Sequence, residues 1–435
     1  MDRTLTTSLP RTVVGGVGRL ALCLLVSIAS HAIAQRSTQS DTPAGGEWTV
    51  LFDGESLDGW TTSGNREAWL VKDGELHTTG NGGWWLRTEK MYRDFDLMLE
   101  FNVPRNGNSG IGIRGSATGD PAFTGMEVQI YDNHGDKPGL NTCGAVYNAI
   151  APRETAVNPA GQWNSYRIRL VGDTLDVWLN GVHIHDAARL DERGFFRSPD
   201  QPIPLNARLT TGYIALQDHG NPVRFRNIKI RDLSPDPDVG GFTPVFRTSL
   251  DESAWTKRGG GSWTAETDQV GAVNLTGRDG PGHLFTDRVF EDFEVRAFVR
   301  VNTRGNSGLY VRVRPKPDNP DDWPDGYEAQ IDNDDPNNWT GCIYGRARPR
   351  GTMDKTLQTR DGAWFDYRVR CVGDHVQTWI NGVPMVDAML EEYADGHIAF
   401  QTHHPGNVIE YREVEVREIR ADTPDEAARG AEIAQ

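Results

Sequence analysis

Cysteine is scarce in this chain, with 4 among 435 residues, and one of these, Cys23, lies in the N-terminal segment. The other three, Cys143, Cys342 and Cys371, are an odd number, so at least one thiol stays free or pairs between chains. A Cys342–Cys371 bridge is compatible with an oxidising compartment. No Cys/His spacing has the form of a zinc site. Positive charge is also short: 45 Lys and Arg face 61 Asp and Glu, a formal net charge of -16. That excludes a nucleic-acid partner, because binding phosphates needs a basic face. Only one long apolar run exists, from Leu20 to Ala29. Arg3, Arg11 and Arg19 precede it, and Ala32-Ile33-Ala34 follows before Gln35, the pattern of an export signal over residues 1–34. The run is too short to span a bilayer, and no transmembrane segment is expected once the signal is removed. Leu22 is too large for lipoprotein cleavage at Cys23, which leaves simple secretion to the periplasm or the extracellular space. A sustained helical period is missing throughout. What the chain does have is 48 Gly and 13 Trp, suited to many turns, many strands and a polar-ligand surface.

The chain also has an internal repeat. Asn106-Gly107-Asn108-Ser109-Gly110 returns as Arg304-Gly305-Asn306-Ser307-Gly308, and Glu127-Val128-Gln129-Ile130 as Glu328-Ala329-Gln330-Ile331. Trp178-Leu179-Asn180-Gly181 returns as Trp379-Ile380-Asn381-Gly382, and Ile214-Ala215-Leu216-Gln217 as Ile398-Ala399-Phe400-Gln401. The repeat is far longer than a solenoid unit, so each copy is a whole domain. The expected organisation is a first domain over 45–233, a Pro- and Gly-rich linker over 234–241, a diverged second domain over 242–420 and a polar tail over 421–435. Phe95, Leu97, Leu99 and Phe101 alternate with polar residues, and Asn180-Gly181 is a hairpin turn between apolar runs. The fold class is all-β, with two tandem two-sheet sandwiches.

Strand parity nominates a ligand face. If Ile111, Ile113, Val128 and Ile130 enter the core, then Arg114, Glu127 and Gln129 point the other way, and Gln217 joins them from a third strand. Amides, a carboxylate and a guanidinium suit the paired donors and acceptors of a sugar. The turns after these strands carry Asp132 with His134 and Asp218 with His219, which are able to transfer protons near neutral pH. Trp84 and Trp85 offer a ring for stacking on a sugar, Asn108-Ser109-Gly110 reads as a turn, and Asn108 is a candidate sugar contact.

These segments, with Leu51-Phe52-Asp53-Gly54 and Gly212-Tyr213-Ile214-Ala215-Leu216-Gln217-Asp218-His219-Gly220, resemble the 3-keto-disaccharide hydrolase domain family over most of 47–233. The resemblance implies a concanavalin A-like jelly roll and a carbohydrate substrate oxidised at C3. A C3 ketone acidifies the hydrogen on C2, so a base removes it and the C1 substituent leaves by elimination; water adding back gives net hydrolysis. On this reading Glu127 or His134 is the base. Asp132, Asp218 or His219 is the acid, and Arg114 stabilises the enolate. Gln129, Gln217, Trp85 and Asn108 bind the sugar. A divalent metal held by Asp132 would serve the same end as Arg114, although no metal is established by the sequence. The second copy keeps Arg312, Glu328, Gln330 and Gln401, with His403 near the position of His219, but has Asp332-Asn333-Asp334 where the first has Tyr131-Asp132-Asn133-His134. Activity is therefore expected in the first domain. The competing reading is a non-catalytic, lectin-like binding protein of the cell envelope. The oligomeric state is left open.

Overall fold

The computed structural model describes residues 46–316, 323–349, 351–353 and 357–419. The expected signal, Cys23 and the polar tail lie outside the described residues. Helix is sparse among the described residues, with the short segment Pro121–Thr124 and three 3-10 turns, and nearly all the rest of the regular structure is strand.

Each half is a two-sheet sandwich. In the first, a five-stranded sheet runs in the order Trp60–Thr62, Trp84–Tyr92, Gly212–Asp218, Asn108–Gly115, Met126–Tyr131. The larger sheet is centred on Phe95–Asn102, flanked by Trp163–Val171 and Arg224–Asp232. All observed pairings are antiparallel between consecutive or Greek-key neighbours, as in jelly rolls. The second half repeats the order: Trp255–Gly259, Gly282–Phe290, Gly396–Thr402, Asn306–Arg314, Asp325–Asp332. The alternation of the sequence decides which faces meet. Phe95, Leu97, Leu99 and Phe101 pack against Ile111, Ile113, Val128 and Ile130 of the opposing sheet, all nearly or fully buried. The hairpin turn is built as the sequence requires: Asn180 (φ 52°) and Gly181 (φ 82°) are both left-handed, matching the twist of the flanking strands, and Asn381 (φ 51°) and Gly382 (φ 67°) repeat it.

The two sandwiches share an interface. Met91, Leu209 and Tyr213 of the first pack with Phe298 and Trp364 of the second. Arg93 Nη1 donates to the Asn381 carbonyl (2.9 Å) and Thr210 Oγ1 to Asn381 Oδ1 (2.6 Å). The linker is pinned to both: Asp238 Oδ2 accepts from Met91 N at 2.9 Å and pairs with Arg296 at 3.1 Å. Cys143, Cys342 and Cys371 are free and buried. No bridge joins Cys342 to Cys371, since each is absorbed into the second core as an apolar side chain.

Candidate functional site

The concave face of the first five-stranded sheet opens on a cavity of about 730 Å³. Parity brings Glu127, Gln129 and Gln217 to its floor, together with Trp85, and Asn108 stands at its edge. Gly110 makes room for the carboxylate: a Cβ there would lie 1.8 Å from Glu127 Oε1. Gly112 does the same for Trp85, whose ring would lie 3.2 Å from an added Cβ. Trp85 is buried against Ala122, Phe123 and Ala215, so the ring free to stack is Trp84, 66% exposed at the rim.

Asp218 and His219 also line the cavity, but Asp218 is a fixed acceptor. Its Oδ2 takes the N–H of Gly83 (3.0 Å) and its Oδ1 that of Gly220 (3.1 Å). Three other expected residues are placed elsewhere. Arg114 lies in a bulge, where three residues of its strand span two of its neighbour, and its φ is 53°. The bulge resets the alternation and turns the guanidinium away from the cavity. Its Nε donates to the Arg93 carbonyl (2.7 Å), its Nη1 to the Gly172 carbonyl (2.9 Å), and its Nη2 pairs with Asp94 (3.2 Å). Asp132 accepts from Asn106 N at 2.8 Å and His134 bonds the Val157 carbonyl at 2.7 Å; neither lines the cavity. Among the described residues the only cluster of three or more His, Cys, Asp or Glu side chains at metal-ligand spacing is Asp176, His183 and Asp186, on the other sheet; Asp132 belongs to no such cluster.

The cavity contains groups that the sequence reading did not pick out. Asp120 caps the short helix Pro121–Thr124, its Oδ1 accepting from Ala122 N at 3.0 Å, and lines the cavity near Glu127. Burial raises the Asp120 carboxyl above its ordinary pKa, opposed by its hydrogen bonds to Ala122 N and Trp85 and by the charges of His219 and Arg208. Burial, with the Asp120 charge beside it, pushes Glu127 well above the usual carboxylate range. Tyr147 faces both, and burial and the two carboxylates hold its phenol protonated. Arg197 and Phe196 complete the wall, the guanidinium 4.9 Å from the ring centre. Asn108 Oδ1, Gln129 Oε1 and Gln217 Oε1 are buried acceptors without a partner. Unpaired buried acceptors are costly and mark places where a ligand's donors belong.

The equivalent face of the second sandwich carries different side chains. Tyr310 occupies the place of Gly112, and its hydroxyl accepts from Gln401 Nε2 at 2.8 Å. His283 replaces Trp85 and packs edge-on to Tyr310, while Trp323 stacks on His403. Glu328 stays on this face, raised to about 7 by burial, and Gln330 lies beside it. Arg312 repeats Arg114 in position and in role: φ 51°, with its Nε donating to the Glu291 carbonyl at 3.0 Å.

The profile of the 3-keto-alpha-glucoside-1,2-lyase-like domain matches residues 47–231 and again 241–417. The chain belongs to this family. It carries two tandem copies of the domain, which makes it a carbohydrate-acting, hydrolase-like enzyme. A 3-keto-disaccharide hydrolase of Bacteroides thetaiotaomicron is 26% identical, over 43% of this chain and 78% of that protein. Among solved structures, a candidate glycosyl hydrolase of Parabacteroides distasonis is 30% identical, covering 43% of this chain and 100% of its own, with a TM-score of 0.38. A carbohydrate-binding module of Bacillus subtilis is 14% identical, covering 40% and 100%, with a TM-score of 0.30.

Proposed function

We propose that this protein is an exported enzyme that cleaves 3-keto-glycosides or 3-keto-disaccharides, with its active site on the concave face of the first domain. One observation carries the reading. Two carboxyls with raised pKa values share a cavity with three partnerless buried acceptors, as a hydroxyl-rich ligand undergoing proton transfer requires. Export rests on the N-terminal pattern of Arg19, the apolar run and Ala32-Ile33-Ala34.

Roles follow from how the two carboxyls are separated. Glu127 is the more strongly shifted and holds its proton. Asp120 retains hydrogen bonds that favour its charge, so it ionises first. Asp120 is the base that takes the proton from C2 of the keto sugar. The C–H electron pair becomes the enolate across C2 and C3, with Tyr147 donating a hydrogen bond to the C3 oxygen. The enolate re-forms the ketone as C1=C2 appears and the C1–O bond breaks, and Glu127 delivers its proton to the departing oxygen. Water adding at C1, with a proton returned to C2, completes net hydrolysis. Asn108, Gln129 and Gln217 accept from sugar hydroxyls, and Trp84 covers a ring face.

The test is incubation of the mature protein with a 3-keto-glucoside and with its unoxidised parent, with and without a chelator, following release of the aglycone. Release from the keto form alone, unaffected by chelator, is expected. Release from neither, with intact folding and measurable sugar binding, would leave a lectin-like protein. Chelator sensitivity would put a metal where Tyr147 is assigned.

A further inference from the structure

Asp120 sits in the connection between the strands Asn108–Gly115 and Met126–Tyr131, and the Ala117–Asp120 part of that connection bonds to the other domain. Ala117 N donates to Glu413 Oε1 of the second sandwich. Thr118 Oγ1 accepts from Val273 N at 3.1 Å. Gly119 passes so close to the second domain that a Cβ would lie 2.6 Å from Ala272 N. Asp120 N itself donates to the Val270 carbonyl at 2.9 Å. Val270 and Ala272 pack against Ala122 and Phe123, the apolar wall of the cavity.

The turn that makes these contacts is organised from within the second domain. Asp268 Oδ1 accepts from Val270 N (3.1 Å) and Ala272 N (2.9 Å), and Asp268 Oδ2 accepts from the buried Arg412 Nη2 (2.8 Å). Asp268 does not line the cavity. The second face is meanwhile occupied by Tyr310 and by Trp323 stacked on His403.

We propose that the Asp268–Ala272 turn of the second domain is a positioning element for the first domain's site, fixing the backbone of Asp120 so that its carboxylate faces Glu127 across the cavity. The active site is thus complete only in the two-domain chain. Asp268 is a positioning residue: it acts through Val270 and Ala272 on Asp120 and touches no substrate. The inference rests on the proposed function for the role of Asp120, but not for its placement.

The experiment compares full-length wild type, Asp268→Ala and Asp268→Asn. Asn keeps the acceptor for the two backbone N–H groups; Ala removes it. Two quantities are measured on each: the titration of the Asp120 carboxyl by carbon-detected NMR without ligand, and kcat and KM on a 3-keto-glucoside across pH. The groups facing Asp120 are Glu127, Tyr147, His219, Arg208 and Trp85. All belong to the first domain and are unchanged in these variants. In Asp268→Ala the Asp120 midpoint falls toward the ordinary carboxylate value as its burial relaxes. Turnover drops about 10- to 100-fold, the scale of a small misplacement of a reacting group, with KM little changed. Asp268→Asn restores most of both. An unshifted Asp120 titration and undiminished kcat in a folded Asp268→Ala protein would overturn the proposal. Should Asp268→Ala not fold, Thr118→Val removes one anchor of the same connection and is read identically. If wild type turns over no keto sugar, the proposed function fails, while the titration still decides whether the second domain sets the environment of Asp120.

Discussion

At the scale of single residues, the site turns on a carboxyl that keeps its proton. Because burial raises Glu127, its acid form persists above the usual carboxylate range, and turnover should be lost as pH rises through its folded-state value and, on the other limb, as pH falls through that of Asp120. Stability has the corresponding sign. The unfolded chain releases the Glu127 proton near 4.5 while the folded chain does not, so stability is full below that value and declines as pH rises toward the folded-state one. Glu127→Gln should therefore flatten the pH dependence of thermal unfolding on that side. It should also cost about 10²- to 10⁴-fold in turnover, the usual worth of a general acid. The loss should be smallest for a 3-keto-glucoside with a nitrophenyl leaving group, which departs without a proton; equal losses for nitrophenyl and alkyl aglycones would remove Glu127 as the acid. Gly110→Ala tests the same carboxylate through its surroundings. The new methyl would lie within 2.7 Å of Oε1, Cδ and Cγ of Glu127, so the carboxylate must move and activity should fall as for Glu127→Gln, with the melting temperature lowered by the overpacking.

At the scale of elements, the strands carried most of the legible information. Period-two alternation placed Glu127, Gln129 and Gln217 on the concave face, because a pleated strand leaves side chains no other choice, while Asn108, read as a turn residue, opens the strand Asn108–Gly115. The same rule misplaced Arg114, where one extra residue in the strand reverses the alternation; nothing in Gly112-Ile113-Arg114 announces that bulge. Asp120 and Tyr147 lie in connections to which no period applies. A signal for Asp120 was present all the same: Asp followed by Pro121 is a helix start, and a capping carboxylate is held in place. Asp132 and His134 follow the Glu127 strand in sequence, but the chain turns away from the cavity there. Ile113 gives a test at this scale. It is fully buried between the sheets, so Ile113→Asp places an unpaired charge in the core at a cost of several kcal/mol, on the order of the whole stability of a domain. Scanning calorimetry should show the first-domain transition lost. A soluble variant with a cooperative transition at the wild-type temperature would mean the alternation of this strand is misread.

At the scale of the whole molecule, duplication has left two equal frameworks with unequal faces. The repeated motifs were plain in the sequence because both copies need the same turns, the same bulge arginine and the same hairpin. Their inequality was less plain, since it depends on single substitutions such as Tyr310 for Gly112. Glu328→Gln should accordingly leave keto-sugar turnover at the wild-type value in a steady-state assay; a loss matching that of Glu127→Gln would show that both faces work. The buried thiols have a consequence of another kind. Burial raises Cys143 to about 11 and Cys342 and Cys371 to about 12, so near neutral pH almost none is thiolate, the species that attacks a disulfide or is captured by one. Among the described residues reductant therefore has no disulfide to break and oxidant almost no thiolate to join. The described fold thus calls for no oxidase or disulfide isomerase, and its melting temperature should be the same with and without a thiol reductant.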